Sequence, residues 1–274
     1  MFNPTNTAAP RPHLITFAIS FVAASMALEL HSTPLMAADM AVKAPPAPVY
    51  QWTGCYIGLN IGEGTSGSNF GSAVEAGTYL TGGDPATVAG SGGGSKNADG
   101  VLPGGQVGCN YQTGTLVFGL EGDIDYFRSN PVFNNNTNTL ANGNTFAIGQ
   151  SLTTNYLATI RPRIGIGADR NLAYVTGGAA FTSISYTETY SDTNTPPGAG
   201  SASASRSLVG WTAGAGWEYA FADHWTVKAE YLIAGFPTTN ANGLITGPGG
   251  TSNTLHGSAD LLIQLIRAGV NLKF

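Results

Sequence analysis

The strongest constraint in this sequence is a strict alternation of apolar and polar residues over long stretches. Residues 115–127 read TLVFGLEGDIDYF, in which one parity carries large apolar side chains and the other carries Glu121, Asp123 and Asp125. Side chains of a β-strand point alternately to opposite faces, so this pattern predicts a strand with one apolar and one charged face. The same alternation is present in residues 156–166, 209–219 and 225–233.

These alternating stretches are too long for an ordinary soluble sheet. Strands of soluble proteins usually have about 5–6 residues, whereas the stretches here run to about 10–13. A tilted strand that crosses a bilayer needs about 9–11 residues. The apolar parity also begins or ends with Trp, Tyr or Phe, as it does at membrane interfaces. We therefore predict membrane-spanning strands, and a soluble β-sandwich is the alternative.

The composition fits strands joined by turns and polar loops. Only 10% of the residues are charged, against about 25% in an ordinary soluble domain. The 38 glycines argue against a helical bundle, because each costs about 1 kcal/mol relative to alanine inside a helix. The net charge of −5 provides no basic surface, so we expect no nucleic acid partner.

The N-terminal region predicts export. Residues 14–28 form a short apolar stretch after Arg11 and His13, which is typical of a signal peptide; a retained anchor or a buried helix is the alternative. We predict a signal peptide at residues 1–38 and an extended, proline-rich periplasmic segment at residues 39–51. No later stretch has about 18 uninterrupted apolar residues, so the long strands favour the outer membrane of a Gram-negative bacterium.

The sequence divides into eight candidate strands: 52–62, 101–112, 115–127, 152–168, 171–186, 206–220, 225–236 and 259–274. Tight turns at 113–114, 169–170 and 222–224 alternate with long connections at 63–100, 128–151, 187–205 and 237–258. Short periplasmic turns and long outer loops are typical of bacterial outer-membrane barrels. The predicted fold is all-β: an eight-stranded antiparallel up-and-down transmembrane β-barrel over residues 52–274, with four long extracellular loops.

Charged residues on the non-apolar parity predict a polar barrel interior. They are Glu121, Asp123, Arg161, Arg163, Glu218, Lys228, Glu230 and Arg267. An Arg or Lys facing lipid near mid-membrane costs about 2–4 kcal/mol, so these residues should face inward and pair. Side chains fill the interior of an eight-stranded barrel, which predicts a plugged barrel. The alternative is a charged selectivity ring in a narrow channel for small solutes.

Six sequence blocks within the predicted strands and turns carry a family resemblance. They are WTGCYIGLNIG (52–62), GGQVGCNYQTG (104–114), VFGLEGDIDY (117–126), LATIRPRIGIGADRNLAYVTGGAAF (157–181), VGWTAGAGWEYAFADHWTVKAEYL (209–232) and IRAGVNLKF (266–274). In this order they resemble the alphaproteobacterial small outer-membrane proteins of the porin-family, outer-membrane protein A-like type, which include surface antigens. The resemblance implies an envelope-structural, surface-exposed barrel in contact with outer-membrane lipid and lipopolysaccharide; its extracellular ligand is not indicated.

The last strand ends on Phe274, in the same parity as its apolar residues. A terminal strand of this kind resembles the signal that the outer-membrane assembly machinery recognises. The alternative is a strand that merely ends the protein.

Two cysteines depart from this resemblance, since the family usually has aromatic residues at the positions of Cys55 and Cys109. Both have the apolar parity and lie toward the periplasmic ends of two neighbouring strands. We predict that their Cα atoms lie close enough for a disulfide, about 4.4–6.8 Å apart, and an oxidising compartment permits the bond. Two free thiols are the alternative.

No motif predicts an enzyme or a cofactor. His224 falls in a predicted turn, whereas His256 lies near Ser258 and Asp260 and is the one candidate base for a hydroxyl nucleophile. The glycine-rich run at 90–95 lacks the following helix that phosphate binding requires. We therefore expect a non-enzymatic protein without a bound cofactor or metal.

Overall fold

The computed structural model describes residues 50–274, so the predicted signal peptide and residues 39–49 lie outside the described part. That part contains nine β-strands: β1 Gly54–Val74, β2 Gly94–Thr113, β3 Leu116–Ser129, β4 Val132–Thr139, β5 Thr145–Ala168, β6 Asn171–Asp192, β7 Ala199–Ala220, β8 Trp225–Thr246 and β9 Ser252–Lys273. Helix α1 spans Asp84–Ser91, and a 3-10 turn spans Pro248–Gly250. No helix within residues 50–274 is long and apolar enough to cross a membrane.

The strands form one antiparallel sheet that closes on itself. Its order is β3-β2-β1-β9-β8-β7-β6-β5-β4, and β3 also pairs with β5. The sheet is therefore barrel-like. Strand β4 pairs with the part of β5 that lies beyond the end of β3. The break between β3 and β4 falls at Asn130 and Pro131, because proline cannot donate a ladder hydrogen bond.

The two ends of the barrel differ. At one end, here called the turn end, β2–β3, β5–β6 and β7–β8 are joined by connections of two to four residues, and Gly114 and Asp169 take positive φ in two of them. Phe274 also lies at this end, where its N–H donates to the carbonyl of Cys55 at 2.9 Å. The opposite end, here called the loop end, carries the longer connections.

The strands are longer at the loop end than the sequence predicts. Strand β1 continues to Val74 instead of residue 62, and β7 begins at Ala199 instead of residue 206. The predicted loop at 128–151 contains β4 and the first part of β5. These extensions are rich in Gly, Ser, Thr and Asn. A strand that rises beyond lipid needs no apolar outer face, so it loses the alternation on which the prediction depended.

The outer wall carries a belt of exposed apolar side chains, which include Leu59, Leu120, Ile124, Ile160, Trp211 and Ile266. An exposed apolar surface of this extent marks an interaction with a membrane or partner. Inside, the half nearest the loop end is an apolar core that includes Leu102, Phe127, Leu152, Ile184, Leu232 and Ile263. The half nearest the turn end is charged.

Candidate functional site

The eight charged residues that the sequence predicts to face inward lie together inside the barrel. Strands β3, β5, β7, β8 and β9 contribute Glu121, Asp123, Arg161, Arg163, Glu218, Lys228, Glu230 and Arg267, and each is at most 7% exposed. Asp125, on the same face of β3, is fully buried and joins them. These nine residues are called the charge lattice below.

Strand register places opposite charges of the lattice beside one another. Three cross-strand pairs are Glu121 with Arg161, Glu218 with Lys228, and Glu230 with Arg267. Directly opposed residues on one face of an antiparallel sheet have neighbouring Cβ atoms, so such pairs interact. The alternation of the sequence and the pairing of the strands thus bring these side chains together.

Arg161 connects three carboxylates. Its Nη2 atom lies 2.8 Å from Glu121 Oε1 and 2.9 Å from Asp123 Oδ2, and its Nη1 atom lies 3.0 Å from Glu230 Oε1. Its Nε–H donates to Thr159 Oγ1 at 2.8 Å. A buried guanidinium needs partners of this kind, since an unpaired buried charge is costly.

Arg267 and Lys228 connect the same carboxylates from the other side of the barrel. Arg267 lies 2.7 Å from Asp125 Oδ2 and 2.7 Å from Glu230 Oε2, and Lys228 Nζ lies 2.7 Å from Glu121 Oε1. Because β9 and β8 face β3 across the lumen, these ion pairs span the barrel interior. The lattice is one connected network.

Arg163 has an aromatic environment that sequence reasoning missed. Its guanidinium carbon lies 5.0 Å from the ring centroids of both Tyr56 and Tyr174, a cation–π geometry, and its Nη1 lies 3.1 Å from Glu218 Oε2. The Tyr56 hydroxyl donates to Glu121 at 2.5 Å and the Tyr174 hydroxyl donates to Glu230 at 3.0 Å. Both tyrosines occupy the inward-facing positions of the strand alternation, and this was the only feature of the sequence that could have predicted their place in the interior.

The segment before β1 lies under the lattice at the turn end. Trp52 is 1% exposed, and its Nε1–H donates to the carbonyl of Asp169 at 3.2 Å. The Tyr50 ring lies 4.7 Å from Lys273 Nζ and 5.7 Å from the Arg170 guanidinium. These contacts close the barrel interior at the turn end.

The connection between β1 and β2, residues 75–93 and here called loop 1, covers the loop end. Val88 of α1 and Leu80 belong to the apolar core. The side chain of Asn253 on β9 makes four hydrogen bonds with the backbone of Glu75, Tyr79 and Leu80. The Tyr79 hydroxyl donates to Asp192 Oδ2 at 2.6 Å, which ties loop 1 to the end of β6.

Cys55 and Cys109 are direct partners in the β1–β2 register. The structure joins them by a disulfide, with Cα atoms 4.0 Å apart. That separation is shorter than the predicted range. Directly opposed residues of an antiparallel pair approach to about 4.5 Å at non-hydrogen-bonded positions.

His256, Ser258 and Asp260 share one face of β9, but no hydrogen bond joins them. His256 contacts Asn242 Oδ1 at 2.9 Å and Glu75 Oε1 at 3.0 Å. The Ser258 hydroxyl donates to the carbonyl of Gly71 at 3.4 Å, and Asp260 accepts from Asn69. His224 lies in the turn after β7 and contacts the carbonyl of Lys273 at 3.0 Å. Within residues 50–274 no group of His, Cys, Asp or Glu has the arrangement of a metal site.

The chain is similar to known outer-membrane proteins. The 31 kDa outer-membrane immunogenic protein of Brucella melitensis biotype 1 is 32% identical over 232 residues, which cover 78% of this chain and 85% of that protein. The 25 kDa outer-membrane immunogenic protein of Brucella abortus biovar 1 is 26% identical over 262 residues, which cover 93% and 98%.

A solved structure, that of the outer membrane protein OprG from Pseudomonas aeruginosa, is similar over 81% of this chain and 98% of that chain, at 12% identity and a TM-score of 0.39. The family described as Outer membrane protein beta-barrel domain matches residues 35–274. The match covers the whole sheet, and the predicted location in the outer membrane of a Gram-negative bacterium is confirmed. The chain belongs to the outer-membrane protein β-barrel family.

Proposed function

We propose that this protein is a sealed outer-membrane barrel, which acts as a structural and surface-exposed element of the cell envelope and has no enzymatic activity. Eight of the strands, all but β4, cross the membrane in this proposal. The turn end lies in the periplasm, and the loop end with β4 lies outside the cell. The belt of exposed apolar side chains on the outer wall supports this placement, since it would otherwise face water.

The charge lattice is the main observation that supports a barrel closed to ions and solutes. Five carboxylates and four cations fill the lumen from β3 across to β9, and no member is more than 7% exposed. Water-filled pores leave their lining charges solvated, whereas these charges contact one another. Side chains fill a barrel of eight strands, which agrees with a plugged interior.

Both ends of the barrel add to the seal. Trp52 and Tyr50 lie under the lattice, and the apolar core and loop 1 lie above it. An ion that crossed the barrel would have to displace the ion pairs of Arg161 and Arg267 as well as this core. We therefore favour the structural role over a narrow channel for small solutes, which is the competing function.

The proposed partners follow from the exposed surfaces. Outer-membrane lipid and lipopolysaccharide contact the outer wall, and the assembly machinery recognises the terminal strand through Phe274, which is 74% exposed. Two relatives are named immunogenic outer-membrane proteins, which supports exposure of the loop end at the cell surface. Phe274→Ser should reduce the amount of protein inserted in the outer membrane, whereas Phe221→Ser, at another exposed turn-end position, should not.

Single-channel recording in planar bilayers tests the sealed barrel. The refolded mature protein should be silent while it remains heat-modifiable and resistant to protease. A double variant, Arg161→Ala with Arg163→Ala, serves as the comparison because it removes two cations from the lumen. Stable openings of the wild-type protein, with an ion selectivity that changes in the double variant, would establish the channel function instead.

A further inference from the structure

Glu188, near the loop end of β6, is a buried carboxylate outside the charge lattice. It is 0% exposed, and it lies in the part of β6 beyond the apolar belt. No Lys, Arg or His of residues 50–274 lies within salt-bridge distance of it. A buried carboxylate without a cation is costly unless it is protonated or bound to a positive group.

Three buried oxygen atoms at and around Glu188 have no hydrogen-bond partner among the described residues. Its Oε2 accepts from the Tyr186 hydroxyl at 3.2 Å, whereas its Oε1 has no hydrogen-bond partner in the described residues. Gln150 Nε2 donates to the same Tyr186 hydroxyl at 3.3 Å and to the carbonyl of Gly71 at 3.3 Å. That leaves Gln150 Oε1 buried and without a partner, like the hydroxyl oxygen of Ser72.

We propose that Glu188, Gln150 and Ser72 form a binding site for one small monovalent cation such as sodium. The three unpartnered oxygens come from three different strands, β6, β5 and β1, and one of them belongs to a carboxylate. Hard cations bind oxygen ligands of this kind in place of their hydration shell. A single carboxylate balances a single positive charge.

The fourth side of the site is formed by the backbone of β9. Gly257 on β9 faces the carboxylate, and a Cβ atom at this position would overlap Glu188 Oε2 and the Tyr186 hydroxyl. Glycine therefore allows β9 to close the site. Ser72 also contacts loop 1, since a Cβ atom at Gly92 would lie 2.5 Å from the Ser72 Cβ. Occupation of the site would thus stabilise the wall beneath loop 1.

Protons compete with the cation for this site. Burial raises the pKa of Glu188 to about 7, and the neighbouring polar side chains of Ser72, Tyr186 and Gln150 oppose the rise. The groups that face it are Tyr186 on its own strand, Gln150 on β5, Ser72 on β1 and Gly257 on β9. Of these only Tyr186 titrates, and its pKa is raised far above neutrality by burial. Cation binding should therefore strengthen above neutral pH.

Thermal unfolding of the refolded protein in NaCl, KCl and choline chloride at equal ionic strength tests the site. At pH 8 the wild-type midpoint should be higher in NaCl or KCl than in choline chloride by about 2–4 °C. Glu188→Gln should abolish that difference, whereas Asp192→Asn, a change of another loop-end carboxylate, should retain it. Equal midpoints in all three salts, or a difference that survives in Glu188→Gln, would overturn the proposal.

A second measurement does not depend on the folding of a variant. The wild-type midpoint should respond to sodium at pH 8 and lose that response at pH 5, where a proton occupies Glu188. A sodium response of equal size at both pH values would also overturn the site.

Discussion

Asn253 pairs with the backbone of Leu80 through both ends of its side-chain amide. Oδ1 accepts from the Leu80 N–H at 2.7 Å and Nδ2 donates to the Leu80 carbonyl at 3.0 Å. The same side chain bonds Tyr79 N at 3.2 Å and the Glu75 carbonyl at 2.9 Å. At 2% exposure, one β9 residue satisfies buried backbone groups of loop 1.

Asn253→Ala should therefore release loop 1. Removal of a partner from a buried polar group costs about 1–3 kcal/mol, and the backbone at Leu80 would lose both of its bonds to this side chain. We expect faster proteolysis within residues 75–93 while the barrel itself remains intact. Asn240→Ala, an exposed position on the neighbouring β8, is the matched control. An unchanged cleavage rate in Asn253→Ala would show that other contacts hold the loop.

The charge lattice predicts a large difference between buried and exposed arginines. Arg161→Met leaves Glu121, Asp123 and Glu230 buried without one of their cations and should lower the free energy of unfolding by about 3–5 kcal/mol. Arg170→Met removes an ion pair with Asp223 whose side chains are 37% and 83% exposed, so its cost should be about 0–1 kcal/mol. Urea unfolding in lipid vesicles measures both, and similar costs for the two variants would contradict this account.

The disulfide gives a chemical prediction. Because Cys55 and Cys109 are bonded, thiol titration of the unfolded protein should detect no free thiol before reduction and two after it. The double variant with alanine at both positions should still form the barrel, since 17 register pairs link β1 to β2. Two reactive thiols before reduction would exclude the bond.

The sequence predicts the parts of the fold where one face meets lipid. In β3 the outward apolar residues set the parity, which predicts that Glu121 and Asp123 face inward; in the structure Glu121 is the direct register partner of Arg161. Tyr56 and Tyr174 were missed because an aromatic residue near a strand end also fits the membrane interface. The inward position of each was visible only as parity.

The loop end could not be predicted in the same way. Residues 64–72, GTSGSNFGS, continue β1, yet apart from Phe70 both faces carry small or polar residues, so no period-two signal remains. The contacts that hold loop 1 join Asn253 to residues more than 170 positions away in the chain. A hydrogen bond from a side chain to distant backbone leaves no pattern among neighbouring residues of the sequence. The burial of Glu188 away from the other charged residues leaves none either.

Glu188 also predicts how stability depends on pH. Its pKa is raised from 4.5 to about 7 in the folded protein, mainly by burial, so between these values the folded state binds more protons than the unfolded state. Stability must then fall as pH rises through this interval and level off above it. Glu188→Gln removes the ionisation and should be more stable than the wild type at pH 8 in choline chloride, but nearly equal to it below pH 4.5. The difference between the two proteins isolates Glu188, because His224 and His256 are present in both. A difference that stays constant across the interval would mean that Glu188 is not the group that titrates.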